Sequence, residues 1–99
     1  MKVYISIPIT GHPISEVKKK AEEVKRTLSE KGHTPVSPLD LHGGKKKTYA
    51  QYIGRDIEAL MECDAIFLCS GWQDSKGCSL EYKAARIYGK IIMNENYAN

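Results

Sequence analysis

The sequence predicts a three-layer α/β fold of the Rossmann-like (flavodoxin-like) kind, with helices on both faces of a parallel sheet of about four strands. Strand and helix patterns alternate along the chain in the order β-α-β-α-β-α-β, which is typical of parallel strands joined by helices. Residues 65–69 are a continuous apolar run, as expected for a strand covered on both faces. Pro35 cannot donate a sheet hydrogen bond, so the second strand belongs at an edge. Right-handed connections then favour the strand order 2-1-3-4.

The first strand and the first helix are predicted from residues 2–32. Residues 2–7 alternate in character and are rich in strand-forming residues, so they predict a strand. After the break at Gly11 and Pro13, apolar residues recur at steps of three and four, as in an amphipathic helix. They are Ile14, Val17, Ala21, Val24 and Leu28. Gly32 suits the C-terminal cap of this helix, and the run Lys18–Lys20 falls on its solvated face.

The second strand, residues 33–36, is followed by a predicted loop over residues 37–47. Loops of this length in a small domain are often functional. The loop contains the lysine run 45–47, which we interpret as solvated surface rather than as an anion site. Thr48 and Gln51 have the spacing of a capping box and predict the start of the second helix. The predicted apolar face of that helix consists of Tyr49, Ile53, Ile57 and Leu60.

The last third of the chain completes the alternation. The third strand is followed by a loop over residues 70–77, a helix over residues 78–88 that ends at Gly89, a short strand at 91–93 and a polar tail. With the strand order 2-1-3-4, strand 2 lies on one side of strand 1 and strand 3 lies on the other, so the connections leave strand 1 in opposite directions, and the point of reversal lies between strands 1 and 3. Ligands of open α/β sheets bind at the carboxyl ends of the strands near that point. The topology therefore predicts a site between residues 8–13 and 70–77.

The composition indicates a single domain over residues 1–99. Its 41% hydrophobic and 27% charged residues are ordinary for a soluble globular protein. No apolar run approaches the roughly 18 residues of a membrane span, and the first residues lack the apolar stretch of a signal peptide. We therefore expect a cytoplasmic protein with no membrane partner. A net charge of +3 is too small to indicate binding to a nucleic-acid polymer.

The cysteines and the glycines indicate neither a metal nor a cofactor. Cys63, Cys69 and Cys78 are an odd number and contain no C-x-x-C pair, so free thiols are expected and no metal site. The pattern of a phosphate-binding P-loop is absent, and so is the dinucleotide-binding pattern G-x-G-x-x-G after the first strand. We expect no cofactor.

Two carboxylates border the predicted cleft. Asp56 lies on or beside the apolar face of the second helix, and Glu81 lies in the first turns of the third helix. The helix dipole is expected to keep Glu81 ionised. Taken singly, Asp56 is explained as a boundary residue and Glu81 as a dipole partner. Taken together, a pair of carboxylates around one pocket is the arrangement that glycosyl chemistry requires.

Other residues near the cleft leave alternatives open. Trp72 offers an aromatic face to a ligand, or it is a partly buried core aromatic. Ser75 and the free amides before the third helix are suited to an anion or a sugar hydroxyl. Asp64 precedes the third strand at its amino end, far from the predicted cleft, and we interpret it as a turn or cap residue.

Three segments carry a resemblance to a known superfamily. Residues 1–11, MKVYISIPITG, are similar to the opening Y-I-S-G-P-I-T-G. Residues 55–66, RDIEALMECDAI, are similar to D-x-x-x-L-x-x-(A/C)-D-x-(I/V), and residues 75–81, SKGCSLE, to S-x-G-x-x-x-E. The chain thereby resembles the nucleoside 2-deoxyribosyltransferase-like superfamily, and most closely its branch known as domain of unknown function 4406.

The resemblance implies an N-glycosidase or deoxyribosyltransferase that acts on a small nucleoside or nucleotide and assembles as a homodimer or a larger homo-oligomer. It would make Glu81 the nucleophile at C1′ of the sugar, with a covalent intermediate. Asp56 would orient or protonate the departing base, and Tyr4 would position Glu81. The candidate substrate-binding residues are Ser6, Ile7, Pro8, Gly11, Trp72, Ser75 and Gly77.

Two departures from the family pattern bear on function. Ile7 replaces a glycine, and Thr10 stands near the position where nucleotide-specific relatives carry an arginine. Ile7 favours an alternative, a nucleotide or nucleotide-sugar binding module without catalysis, because it limits the approach of a ligand to the backbone. The retained Tyr4, Asp56 and Glu81 favour the enzyme. A protein-interaction domain is a third hypothesis that has only the lysine runs in its support.

Overall fold

A parallel sheet forms the centre of the computed structural model, which describes residues 1–42 and 46–95. Its strands in these residues are β1 (Lys2–Ser6), β2 (Thr34–Val36), β3 (Ala65–Leu68) and β4 (Ile91–Asn94). They lie in the order β2-β1-β3-β4, and each neighbouring pair is parallel. The predicted fold class and strand order are therefore confirmed, and Pro35 lies in an edge strand.

Three helices cover both faces of the sheet in the part of the chain that the structure describes. They are α1 (Ile14–Glu30), α2 (Tyr49–Met61) and α3 (Lys76–Ile87). Val3 and Ile5 pack against α1, whereas Tyr4 packs against α2 and α3, because successive residues of β1 point to opposite faces. None of these helices is long and apolar enough to cross a membrane.

Helix α1 follows the predicted pattern closely. Its buried residues are Val17, Ala21, Val24 and Leu28. Ile14, which the pattern also placed on this face, is exposed because it is the first residue of the helix. Gly32 has φ +86°, the left-handed conformation expected just beyond a helix C-terminus. In the first lysine run, Lys18 and Lys19 are exposed, and Lys20 pairs with Glu95.

Helix α2 begins with the predicted capping box. The hydroxyl of Thr48 accepts a hydrogen bond from the backbone N–H of Gln51 at 3.2 Å, and the Gln51 side chain accepts one from the backbone N–H of Thr48 at 2.9 Å. The predicted apolar face is wrong at Tyr49, which is 63% exposed. Burial starts only in the second half of the helix, where Asp56, Ala59 and Leu60 lie against the sheet.

Both predicted loops contain more regular structure than expected. Residues 37–47 include a 3-10 helix, Pro38–Asp40, and residues 70–77 include another, Trp72–Asp74. Helix α3 begins at Lys76, two residues before the predicted start at 78. The Ser37 hydroxyl caps the first 3-10 helix and the Ser75 hydroxyl caps α3, since each accepts a hydrogen bond from a backbone N–H. Residues 43–45 and 96–99, which include one lysine of the second run and most of the polar tail, lie outside the described residues.

The amino ends of the central strands are joined at Asp64. Its carboxylate accepts a hydrogen bond from the backbone N–H of Lys2 at 2.9 Å, which ties the start of β3 to the start of β1. The interpretation of Asp64 as a turn or cap residue is therefore confirmed. It lies at the opposite end of the strands from the predicted cleft.

The three cysteines are buried and free of disulfides, as expected. Burial raises the pKa of the Cys63, Cys69 and Cys78 thiols. Hydrogen bonding with Ser6 and Ser75 opposes that rise at Cys78. Because the thiolate is the reactive form, these thiols are suited to packing rather than to nucleophilic chemistry.

The capping box at the start of α2 generates a test of stability. Thr48→Ala is expected to lower the free energy of unfolding by about 1 kcal/mol, because it leaves a backbone N–H of the first turn without its acceptor. Urea unfolding measures the change. The matched control is Thr27→Ala, since the Thr27 hydroxyl donates only to the Glu23 carbonyl on an exposed helix face. Equal losses in the two variants would contradict a specific role for the cap.

Candidate active site

Glu81 is a buried carboxylate that is held at both of its oxygens. It lies in α3 and is 5% exposed. The hydroxyl of Tyr4 donates a hydrogen bond to Oε2 at 2.8 Å, and the hydroxyl of Ser6 donates one to Oε1 at 2.7 Å. The carboxylate is therefore fixed in position and orientation. Tyr4 and Glu81 meet as the resemblance implied.

The local sequence explains how these side chains meet. Tyr4 and Ser6 are two residues apart in β1, so both point to the face covered by α2 and α3. In α3, Cys78, Glu81 and Ala85 recur at steps of three and four and form its buried stripe. Strand β1 lies next to β3 in the sheet, and α3 follows β3 along the chain. The site thus lies at the predicted reversal point of the sheet.

Burial controls the charge of Glu81. It raises the pKa of this carboxyl to about 7, although the hydrogen bonds from Ser6 and Tyr4 oppose the rise. The negative charge of Asp56 raises it further. The expectation that the helix dipole keeps Glu81 ionised is therefore wrong as stated, because desolvation is the larger effect. Near neutral pH the group exchanges readily between its two forms.

Asp56 is the second buried carboxyl, and it has a partner that the sequence analysis missed. It lies in α2 and is 8% exposed. Its Oδ1 is 2.8 Å from Nε2 of His42, which follows the 3-10 helix at the end of β2. Burial raises the pKa of Asp56, and the hydrogen bond and charge of His42 lower it. The ring of His42 also packs edge-on against Tyr52, with centroids 4.6 Å apart.

A weak signal for His42 was present in the sequence. The loop 37–47 was expected to be functional because of its length, and it follows a strand at the carboxyl edge of the sheet. His42 is the histidine of that loop. Its contact with Asp56 depends on the path of the loop over α2, and no local pattern specifies that path.

The loop residues expected to bind substrate lie around this edge. Pro8 approaches Gly71, where an added Cβ would lie 3.9 Å from Pro8 Cγ. Gly11 has φ +84°, which favours glycine. The Ser75 hydroxyl caps α3 by accepting from the backbone N–H of Cys78 at 3.2 Å. Gly77 faces α2, because an added Cβ would lie 3.6 Å from Cδ1 of Ile53. Their contact with a substrate stays a prediction.

Two further candidates have clear packing roles. Trp72 is half-buried and stacks at a tilt on Tyr82, with centroids 4.6 Å apart, as a core aromatic does. The side chain of Ile7 is buried beneath α1, on the face of the sheet opposite to Glu81. A role for Ile7 in binding is therefore a prediction for its backbone alone.

Two concave regions lie elsewhere on the described surface. One, of about 300 Å³, is formed by residues of α3 and the turn before it, such as Lys76 and Lys83. The other, of about 520 Å³, lies between α1 and β4 and includes Val24 and Ile92. Neither is lined by Glu81 or Asp56. The candidate site is thus defined by its buried polar groups rather than by either cavity.

A match to a protein-family model shows the family of the chain. The model described as Domain of unknown function (DUF4406) matches residues 1–94. The chain belongs to this family. Tyr4, Asp56 and Glu81 of the DUF4406 domain all lie within the match. A search of curated proteins found no significant match.

Solved structures share the fold of the DUF4406 domain. A 2-deoxyribosyltransferase from Bacillus psychrosaccharolyticus has 23% identity and a TM-score of 0.75, over 95% of this chain and 71% of that one. The 2-deoxyribosyltransferase from Leishmania mexicana has 21% identity and a TM-score of 0.73, over 94% and 62%. A CMP N-glycosidase from Clostridium botulinum has 24% identity and a TM-score of 0.67, over 95% and 70%.

These likenesses confirm the fold of the suspected superfamily. At the identities observed, they establish a shared architecture. The DUF4406 domain spans less than two thirds of the Leishmania mexicana enzyme, at 62% of its length.

The raised pKa of Glu81 generates a test of stability against pH. The folded protein holds this proton more tightly than the unfolded chain, so the group favours folding at low pH. That contribution is lost as the pH rises from about 4.5 to about 7. Glu81→Gln cannot ionise, so its stability relative to wild type should increase across this window by about 1 to 3 kcal/mol.

Urea unfolding at about pH 5 and about pH 8 measures this difference. The matched control is Glu30→Gln, which alters an exposed glutamate of α1 on the other side of the sheet. The control should follow wild type at both pH values. A stability difference between Glu81→Gln and wild type that does not change with pH would contradict the burial argument.

Proposed function

We propose that the protein cleaves the bond between base and sugar in a small nucleoside or nucleotide, with Glu81 as the nucleophile. The observation that carries the proposal is the paired arrangement of two buried carboxyls with different partners. Glu81 accepts hydrogen bonds from two hydroxyls, and Asp56 is bonded to an imidazole. Glycosyl transfer uses a nucleophilic carboxylate together with a second carboxyl that handles protons. The shared fold of deoxyribosyltransferases and an N-glycosidase supports the same chemistry.

In the first step, the ionised Glu81 attacks C1′ of the sugar. A bond forms between a Glu81 oxygen and C1′, and the bond from C1′ to the base nitrogen breaks. The electron pair of that bond goes to the base. Tyr4 and Ser6 hold the carboxylate in one orientation, which removes the entropy cost of aligning it. The covalent intermediate divides one difficult substitution into two easier ones.

Asp56 supplies the proton that the departing base takes up. The charge of Asp56 raises the pKa of Glu81, so the two carboxyls do not both ionise readily. In the reactive form that we propose, Glu81 is ionised and the proton lies on Asp56. The hydrogen bonds from Tyr4 and Ser6 favour the charge on Glu81. Environments that separate the protonation of two carboxyls in this way are typical of acid and nucleophile pairs.

In the second step, water or another base attacks C1′, and Glu81 departs as a carboxylate. The incoming group gives its proton to Asp56, and the site returns to its starting state. Attack by water makes the protein a hydrolase, and attack by a base makes it a transferase. Both outcomes use the same residues, so the acceptor decides between them.

The alternative is a module that binds a nucleotide or nucleotide sugar without cleaving it. Ile7 favoured it in the sequence, as a side chain that blocks the ligand. The structure buries that side chain beneath α1, away from Glu81. The steric argument for a binding module without catalysis is thereby weakened. An assay of base release distinguishes such a module from the enzyme.

Glu81→Gln is expected to abolish base release and to leave ligand binding nearly unchanged, because the amide retains the size of the side chain and lacks the nucleophile. The assay incubates the protein with a panel of deoxynucleosides and their monophosphates and follows free base by chromatography. Intact-protein mass spectrometry should show a deoxyribosyl adduct on wild type. Glu30→Gln serves as the matched control and should retain full activity.

Two outcomes would count against the enzyme. If wild type releases no base from the panel, yet binds nucleotides as tightly as Glu81→Gln does, the binding module is correct. If Glu81→Gln retains base release, Glu81 is not the nucleophile. Either result would leave the described fold unaffected.

We also propose that the protein assembles as a homodimer or larger oligomer. The resemblance implies such an assembly, and apolar side chains are exposed where α3 leads into β4. Ile87 is 77% exposed and Tyr88 is 68% exposed.

Light scattering at micromolar concentration should give at least twice the chain mass of 11.1 kDa. Ile87→Asp should reduce that mass, and Ile14→Asp, at an exposed isoleucine of α1, should not. A monomer mass for wild type would refute the proposal.

A further inference from the structure

The contact between His42 and Asp56 joins two side chains that are almost entirely buried. Counted over side-chain atoms alone, the exposed fractions are 13% for His42 and 12% for Asp56. Nε2 of His42 lies 2.8 Å from Oδ1 of Asp56. Nδ1 of the same ring is buried and has no hydrogen-bond partner among the residues that the structure describes. The ring is held edge-on by Tyr52.

This pattern of partners indicates which nitrogen carries the proton. A proton on Nδ1 would be a buried donor without an acceptor, which is the costlier arrangement. A proton on Nε2 points at a carboxyl oxygen and makes a hydrogen bond. The geometry therefore favours the neutral tautomer with Nε2–H, which donates to Oδ1. The other carboxyl oxygen, Oδ2, is then the one left to carry a transferable proton.

We propose that His42 is a positioning residue of the reaction, which keeps the transferable proton of Asp56 on Oδ2 and stabilises the carboxylate that remains after the transfer. The inference rests on the proposed function. As the bond between C1′ and the base breaks, the base nitrogen receives the electron pair and takes the proton from Oδ2. Asp56 becomes an anion, and Nε2–H of His42 still donates to Oδ1. No change of tautomer is needed between the two states.

The hydrogen bond from His42 strengthens during the reaction. It joins a neutral donor to a neutral carboxyl before the transfer and to a carboxylate afterwards, and charge-assisted hydrogen bonds are the stronger ones. An interaction that grows toward the transition state raises the rate rather than the affinity. The charge of Arg55 on the same helix also lowers the pKa of Asp56, and the charge of Asp56 in turn raises the pKa of Glu81 on α3. His42 differs from Arg55 by its direct contact with Asp56.

The inference predicts a dependence on the leaving base. His42→Leu should lower kcat at least about tenfold on an ordinary purine deoxynucleoside, whose base must be protonated to leave. On the N7-methylated deoxynucleoside, whose cationic base leaves as a neutral molecule, the loss should stay within about threefold. His42→Gln, which retains an N–H donor, should recover most of the rate. His33→Leu, at a histidine near the amino ends of the strands, should behave as wild type.

A measurement without turnover separates failure of this inference from failure of the proposed function. Nitrogen-15 NMR of the imidazoles at neutral pH should show His42 protonated at Nε2 and not at Nδ1. His42→Gln should bind the N7-methylated ligand as wild type does. If wild type cleaves neither substrate, the proposed function is wrong and the inference falls with it.

Three results would overturn the inference while leaving the proposed function intact. The first is an Nδ1–H tautomer or a doubly protonated ring at His42. The second is an equal loss of rate on both substrates in His42→Leu. The third is a His42→Gln variant that folds normally and is as slow as His42→Leu on the ordinary substrate.

Discussion

The hydrogen-bonded burial of Glu81 sets the requirements that the surrounding structure meets. A carboxylate removed from water loses its solvation, and only fixed donors on neighbouring elements can compensate. The hydroxyls of Tyr4 and Ser6 provide them, so β1 must present both residues to α3. That in turn requires β1 to lie beside β3, with α3 packed across the two. Strand order, the start of α3 and the alternation of β1 all serve this one contact.

The two carboxyls of the site differ in environment although they are similar in burial. Glu81 meets hydroxyl donors that favour its charged form, whereas Asp56 meets an imidazole from a loop. Burial raises the pKa of both groups. The hydrogen bonds from their partners oppose that rise at both groups. The difference between their hydrogen-bond partners thus comes from loop and strand placement rather than from residue type.

Local patterns predicted the fold because they follow from backbone geometry. Pro35 marked an edge strand, the run 65–69 marked a buried one, and the spacing of Thr48 and Gln51 marked a helix start. Tyr49 was wrongly predicted to be buried. Periodicity identifies the apolar face of a helix, but it does not show how much of that face the sheet covers. The contact between His42 and Asp56 and the raised pKa of Glu81 escaped prediction, since both depend on residues distant in sequence. Glu81 and Asp56 were predicted from the strand order and their positions on the helices, and Tyr4 from the resemblance to a family pattern.

The two edges of the sheet differ in their capacity to accept another strand. Thr34 directs its backbone N–H toward β1, where it donates to the Met1 carbonyl at 2.8 Å, so the next residue, Pro35, faces outward. Because Pro35 has no backbone N–H, the outer edge of β2 lacks one hydrogen-bond donor, which disfavours pairing with a further strand. At β4 the corresponding outward residue is Ile92, whose backbone retains both donor and acceptor. A peptide fused for strand complementation would therefore be accommodated beside β4, and the opposite edge would reject it.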